Sequence, residues 1–285
     1  MAAIAQGNFV TAIRDDSISQ VQTWLQKGMA VDQVDSMGFT PLGQAIITGK
    51  DRIVLYLILH GADEQQMIFG RTPLMVAVEI GHEAVVRALL DLEQIAFDKD
   101  VQFRMTRIDP DLKPDTDFST MRFEVGIDAA DKNGVTPYMK AAALGQSEIF
   151  RMFAVQSLCR GFDVMGRSWI CHAIENRQET FLVEAFGQVN TAIPGLPPNH
   201  DSGSRITPEL LSHADSTGRL PLTLVRELGL TTVTEPIETY CRLTIEKCVR
   251  DIAEISQYAD AAALNRTTRE MCLKALGQEL PPESR

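Results

Sequence analysis

The stretch Gly38-Phe39-Thr40-Pro41-Leu42 returns 32 residues on as Gly70-Arg71-Thr72-Pro73-Leu74. It returns again as Gly134-Val135-Thr136-Pro137-Tyr138, in weaker form as Gly166-Arg167-Ser168-Trp169-Ile170, and as Gly218-Arg219-Leu220-Pro221-Leu222. A period of this length marks a stacked-repeat architecture, in which each unit buries its apolar face only against its neighbours. Within a unit each position has a local reason. The Gly supplies a positive φ for a tight turn. Thr caps the free N–H groups of a helix start, and Pro at the first helical position gives up an N–H that had no partner there. Small residues (Ala45, Ala77, Ala141, Ala142, Ala173) let the next helix approach, and a second Gly (Gly49, Gly81, Gly145) stops the first helix. A second helix follows with apolar spacing of three and four, as at Ile53, Leu57, Ile58 and Val85, Val86, Leu89, Leu90. The pattern predicts helix pairs over 41–60, 73–91, 137–156 and 169–186.

Asp35 through Leu42, with His60-Gly61-Ala62-Asp63 after it, and Gly70 through Val86 with its Gly81-His82, resemble the ankyrin-repeat family. The likeness is close for units at 35–63 and 67–92, good at 131–155, and degraded at 163–186 and 215–244. Residues 5–32, with Phe9, Ala12, Ile13, Val21, Trp24, Leu25, Gly28 and Val31, read as a first, capping unit without its Thr-Pro. The resemblance implies an all-α repeat solenoid, an ankyrin-repeat stack of about six units covering about two thirds of the chain.

The spacing also shows interruptions. Gly70 to Gly134 is twice the ordinary interval, so residues 93–130 are an insertion. Val101-Gln102-Phe103-Arg104-Met105 and Met121-Arg122-Phe123-Glu124-Val125 both alternate apolar with polar, and Asp109-Pro110-Asp111-Leu112-Lys113-Pro114-Asp115 lies between them. This predicts an inserted β-hairpin with a long acidic tip. A second loop insertion spans 188–208. Beyond it, Ile237, Cys241, Ile245, Cys248, Ile252 and Ile255 recur at helical steps, and Thr267-Thr268-Arg269-Glu270 reads as a capping box opening a last helix that stops at Gly277. The expected layout is repeats 1–3 over 1–92, the β-hairpin and acidic loop over 93–130, repeats 4–6 over 131–234, and C-terminal capping helices over 235–285.

A net charge of -11 argues against a nucleic-acid or anionic-membrane surface. No apolar run reaches the roughly 18–20 residues of a bilayer span, and the first residues lack the basic and apolar regions of a secretory signal. The five cysteines are odd in number and absent from the first half, which fits a reducing cytosol better than a disulfide framework. The expectation is a cytoplasmic protein, or an effector translocated into a host cytosol. No nucleophile elbow, zinc-protease motif or phosphate loop is present. Cys159, Cys171 and His172 fit no paired zinc spacing, and the Asp-rich tip lacks the Gly and terminal Glu of a calcium loop. No catalytic residue, metal or cofactor is therefore expected.

The resemblance places function on the finger positions, which flank the turn Gly and end the first helix of each unit. In ankyrin proteins these face a concave groove that binds partners. Here the face would carry Met37, Phe39, Ile68, Phe69, Arg71, Ile80, Lys132, Leu144, Met165 and Arg167, with Val164 beside them and Phe103 and Phe123 on the insertion. Large apolar residues at sites the stack need not bury read as an interaction surface. The expected function is non-catalytic binding of a folded protein partner, as an adaptor, inhibitor or effector, by a monomer or a subunit of a hetero-complex. The alternative is an enzyme or regulatory domain with its site within 187–285, near Asp201, Glu209 and His213.

Overall fold

The computed structural model describes residues 9–95, 98–109, 111–113, 116–119, 121, 123–156, 159, 161–190, 206–254 and 259–278. The chain folds into two compact units, Met1–Asp131 and Lys132–Arg285. Both are helical, and among the described residues there is no β-strand beyond an isolated bridge between Ile68 and Arg71.

In the first unit, a helical segment at 9–14 leads into α1 (Ile18–Gln26), α2 (Pro41–Ile47), α3 (Asp51–Leu59), α4 (Pro73–Ile80), α5 (Glu83–Gln94) and α6 (Lys99–Ile108). The Thr-Pro starts work as the sequence implies. Thr40 Oγ1 accepts from Gly43 N at 3.1 Å, and Thr72 Oγ1 from Met75 N at 3.1 Å. Helix α4 ends on Gly81 in the left-handed region at φ 84°. Ala45 and Ala77 are fully buried, as are Ile46, Ile53, Leu57, Leu74, Val85 and Leu89. Burial of these faces is how neighbouring repeats share one core.

The second unit holds α7 (Pro137–Ala143), α8 (Ser147–Gln156), α9 (Trp169–Glu175), α10 (Glu179–Asn190), α11 (Pro208–Ser212), α12 (Pro221–Glu227), α13 (Thr231–Glu254) and α14 (Ala259–Leu276). Its core is aromatic where the repeat consensus is weakest. Phe150 lies 4.7 Å from Trp169 and 5.2 Å from Phe181, ring centre to ring centre. Trp169 occupies the first helical position that Pro holds in the better-matched units.

Several expectations are corrected here. The inserted β-hairpin does not form, because its first arm is helix α6. Asp98 Oδ1 accepts from Asp100 N and Val101 N, capping a helix start. Val101 and Met105, four apart, are buried while Phe103 between them is exposed. An alternation that read as period 2 is therefore an i, i+4 pair with an exposed aromatic in the middle. In the second arm, Met121 and residues 123–125 take no regular structure. The loop expected at 188–208 begins later than its predicted start, since α10 continues to Asn190. Residues 191–205 lie outside the described residues.

The boundary expected at 234/235 is absent as well. Helix α13, the partner of α12, runs from Thr231 through Pro236 to Glu254 without a break. Thr267-Thr268-Arg269-Glu270 is not a helix start, because it sits inside α14, where Thr267 Oγ1 donates back to Ala263 O at 3.2 Å. The stop at Gly277 forms with φ 70°, and Gln278 N reaches back to Leu273 O. No helix among the described residues is long and apolar enough to cross a membrane.

Candidate functional site

Three finger turns share one construction. Asp35 Oδ1 accepts from Met37 N at 2.8 Å and Phe39 N at 3.0 Å, Asp163 Oδ1 from Met165 N and Arg167 N, and Asp215 Oδ1 from Thr217 N and Arg219 N. In the first two the second oxygen is held by the helix behind, and in the third by Arg219 of the turn itself. Gln44 Nε2 donates to Asp35 Oδ2, and His172 Nε2 donates to Asp163 Oδ2 at 3.1 Å. Burial alone would raise these carboxyls, but their donors outweigh it and hold Asp35 and Asp163 below the ordinary range. Asp215 is held at about 2, its burial outweighed by bonds from Thr217 and Arg219.

The finger at 67–71 departs from that plan. Met67, exposed, stands where the others have Asp. The turn is instead closed by backbone alone: Ile68 N donates to Arg71 O at 2.8 Å and Arg71 N to Ile68 O at 3.1 Å. Both central residues have positive φ, Phe69 at 52° and Gly70 at 78°. That is a type I′ turn, which favours Asn-Gly and strains an aromatic residue at its first central position. Phe69 is nevertheless 74% exposed, with its ring set edge-to-face on Phe39 at 5.0 Å and 89°. A strained backbone position carrying an exposed aromatic ring returns little to the fold, and such strain clusters where a protein contacts something else.

Around this pair, Met37 is 71% exposed and Ile80, at the end of α4, is exposed too. Arg71 reaches across to Glu79 on α4, Nη1 to Oε2 at 2.6 Å, so finger and helix end share a face. Ile68 is corrected: it is 8% exposed, close against Gly43, and belongs to the core. Phe39 and Phe123 are half-buried, whereas Phe103 is exposed on α6.

In the second unit, Lys132, Leu144, Val164 and Met165 are exposed. Val164 N donates to Asn133 O and Ser216 N to Met165 O, which ties three successive fingers into a row. Arg167, expected as a partner contact, is already engaged. It donates to Asp163 and to Glu175 at 2.9 Å. Burial works against its charge, but those carboxylates outweigh it and hold its pKa above the ordinary value. The same Arg–Glu spacing recurs at Arg71–Glu79 and, more loosely at 3.8 Å, at Arg219–Glu227.

The Cys171–His172 pair has a structural explanation. His172 holds Asp163, and burial pushes the Cys171 thiol up to about 11. Cys159, Cys171, Cys241 and Cys272 are free and buried. Of the residues considered for a catalytic site within 187–285, Asp201 lies outside the described residues. Glu209 and His213 are exposed, and the His213 ring lies tilted on Phe162, 4.1 Å between ring centres. A cleft of about 520 Å³ between α11 and α14 is lined by Ser212, Thr267, Glu270, Met271, Lys274 and neighbours, without either of them.

Residues 9–102 match the family model for ankyrin repeats, three copies. The chain is similar to an ankyrin repeat-containing protein of Treponema pallidum (strain Nichols), 33% identical over 85 residues, 29% of this chain and 28% of that one. It is similar to protein phosphatase 1 regulatory subunit 27 of Mus musculus, 29% identical over 109 residues, 37% of this chain and 71% of that one. It is also similar to the inactive serine/threonine-protein kinase TEX14 of Bos taurus, 35% identical over 89 residues, 31% of this chain and only 5% of that one. The chain thus spans less than a third of the bovine and treponemal relatives.

Among solved structures, an ankyrin repeat domain from Acinetobacter baumannii AYE superposes with a TM-score of 0.53 at 17% identity, over 81% of this chain and 96% of that one. A chain from the complex of a predatory endopeptidase of Bdellovibrio bacteriovorus with an immunity protein gives 0.50 at 14% identity, over 80% and 95%. At these identities the likeness is one of fold. The fold is that of ankyrin repeats, three of which match the family model within residues 9–102, and the general work of such repeats is protein–protein interaction.

Proposed function

We propose that the protein binds a folded protein partner, without catalysis, through the finger face of its first unit, centred on Phe39 and Phe69. The observation that carries this reading is Phe69 itself. It is an aromatic side chain at φ 52°, 74% exposed, on a turn whose backbone would prefer Asn. Met37, Arg71 and Ile80 complete a patch of the composition found at interface cores, aromatic and Met residues with an Arg. Its mechanism is occlusion or scaffolding: the partner's surface covers the apolar patch, and Arg71, half-exposed beside Glu79, supplies the polar rim. The exposed Leu144, Val164 and Met165 in the second unit offer a further contact row, and Phe103 another on α6.

The likeness to a phosphatase regulatory subunit, and to a chain from an endopeptidase–immunity complex, supports an inhibitor or adaptor role as much as a bacterial effector one. Four buried free thiols fit a reducing compartment such as the cytosol. Affinity capture from extract of the source cells tests the proposal, using the wild-type chain and Phe69→Asn in parallel. A protein retained by the first and lost by the second supports it. Equal retention of every protein by both overturns it.

A further inference from the structure

The charge of the chain is divided unevenly. Residues 1–131 carry eleven Lys and Arg against twenty Asp and Glu, a net charge of -9, whereas residues 132–285 carry sixteen against eighteen. Most of the net charge therefore belongs to the unit that bears Phe39 and Phe69. We propose that the partner docking on this face presents a basic surface, with Lys and Arg set around an apolar centre. The inference rests on the binding reading above and names the chemistry of what binds.

Within the unit the imbalance is greatest on the loops that hold the patch. Segments 28–40, 60–72 and 123–131 contain seven Asp and Glu and a single Lys or Arg, which is Arg71. That one cation is already paired with Glu79 of α4. The first two loops also carry the exposed apolar residues Val34, Met37, Met67 and Phe69. An apolar centre with an acidic surround is thus built from the same short segments.

Hydrogen bonds gather four of these acids. Asp32 Oδ1 accepts from Asp63 N at 3.2 Å, Glu64 Oε1 from Glu124 N at 3.2 Å, and Glu124 Oε2 from Gln65 Nε2 at 3.0 Å. Among the described residues none of the four is in an ion pair with Lys or Arg. Like charges drawn together in this way repel and return nothing to the fold, whereas a cationic partner relieves the repulsion. A second copy of the chain is disfavoured as the occupant, because two faces of a unit at -9 repel each other.

The acids lie within the reach of one interface. Gln66 N donates to Asp63 O at 3.2 Å, closing a turn less than about 7 Å across. Phe69 follows three residues on, at most about 11 Å further. Asp63 and Glu64 are therefore within about 18 Å of Phe69 along the chain. An ordinary interface covers about 800 Å² of each partner, and so extends about 16 Å from its centre. The acids fall inside its edge or on it, where charges stay partly hydrated, steer the approach and set its salt dependence.

The test uses the protein that the wild-type chain retains from extract of the source cells and Phe69→Asn loses. Purified, it is titrated by surface plasmon resonance against the full chain as wild type, Phe69→Asn and the double variant Glu64→Gln/Glu124→Gln. Each substituted amide keeps an acceptor oxygen, so charge is removed while the two hydrogen bonds stay, and melting verifies the fold. At about 0.1 M salt the double variant should associate about threefold or more slowly, with dissociation little changed. Raising the salt to about 1 M shortens the screening length from about 10 Å to about 3 Å, and should slow wild-type association at least about tenfold. Phe69→Asn should instead speed dissociation. An association rate that either the double variant or the salt leaves unchanged overturns the inference, while faster dissociation of Phe69→Asn keeps the binding reading standing. A retained protein with an acidic surface, or a second copy of this chain, overturns it too. If nothing is retained by the wild type and lost by Phe69→Asn, the binding reading itself fails and this inference falls with it.

Discussion

His172 Nε2 donates to Asp163 Oδ2 across 3.1 Å, in the place where Gln44 Nε2 donates to Asp35 Oδ2 across 3.0 Å in the unit at 35–63. The histidine therefore does the work of an amide: it fixes the Asp that shapes a finger turn. Burial, with Arg167 second, holds its pKa below the ordinary value, so it serves as a neutral donor. As pH falls below about 6.5 the unfolded chain binds a proton that the native one resists, so stability present above that pH is lost on acidification. The denaturation midpoint should therefore drop between about pH 7 and pH 5, and His172→Gln should flatten that range. A further loss should follow below about pH 4 in both proteins, as Asp215 and its counterparts, held low in the native state, are forced to protonate. A midpoint equally pH-dependent in the variant would remove His172 from this role.

Arg177 stands where the other repeats carry their second Gly. Its φ is 56°, against 72°, 84° and 67° at Gly49, Gly81 and Gly145. A side chain there costs about 1–2 kcal/mol of left-handed strain, partly offset by the extra unfolded-state freedom of Gly. Arg177→Gly should stabilise the chain by about 0.5–1 kcal/mol, read from denaturant unfolding. A destabilised variant would show that the Arg side chain contributes more than its strain.

Ala77 has no exposed surface and lies where helices of adjacent repeats meet. Ala77→Leu should destabilise by about 1–3 kcal/mol through overpacking, with little change at the exposed Ala-free finger positions. An unchanged unfolding midpoint would mean that the interface has room the structure does not contain.

Much of this was legible from local chemistry. The Thr-Pro starts, the Gly stops and the buried alanines follow from spacing alone, and the exposed Met37, Phe69 and Ile80 follow from the finger register. The insertion was misread because Val101, Phe103 and Met105 satisfy two periodicities at once, and only the Asp98 cap and the burial of the outer two decide for a helix. The capping-box reading at Thr267 failed because the same residue pattern is tolerated mid-helix, where Thr bonds back to Ala263 O. Ile68 was misassigned because its neighbour Phe69 turns outward in a type I′ turn that places Ile68 inward. The signal for that turn was present: position 67 is Met where Asp35, Asp131, Asp163 and Asp215 stand in the other units.

Phe69→Asn should leave the fold at least as stable as the wild type. Asn accepts the left-handed conformation and Asn-Gly is the preferred I′ pair, which offsets the loss of an edge-to-face contact worth about 0.5–1.5 kcal/mol. Thermal melting checks this. A fall of several degrees would mean that the ring is part of the core.

The claim that this face exists for binding is tested most directly by the affinity of that same variant for the partner that the wild-type chain captures. A buried aromatic anchor at the centre of an interface is worth about 2 kcal/mol or more. Titration of purified partner should therefore give a Kd at least about tenfold weaker for Phe69→Asn than for the wild type. An unchanged Kd, with the fold intact, would contradict the account and move the binding site away from the Phe39–Phe69 pair.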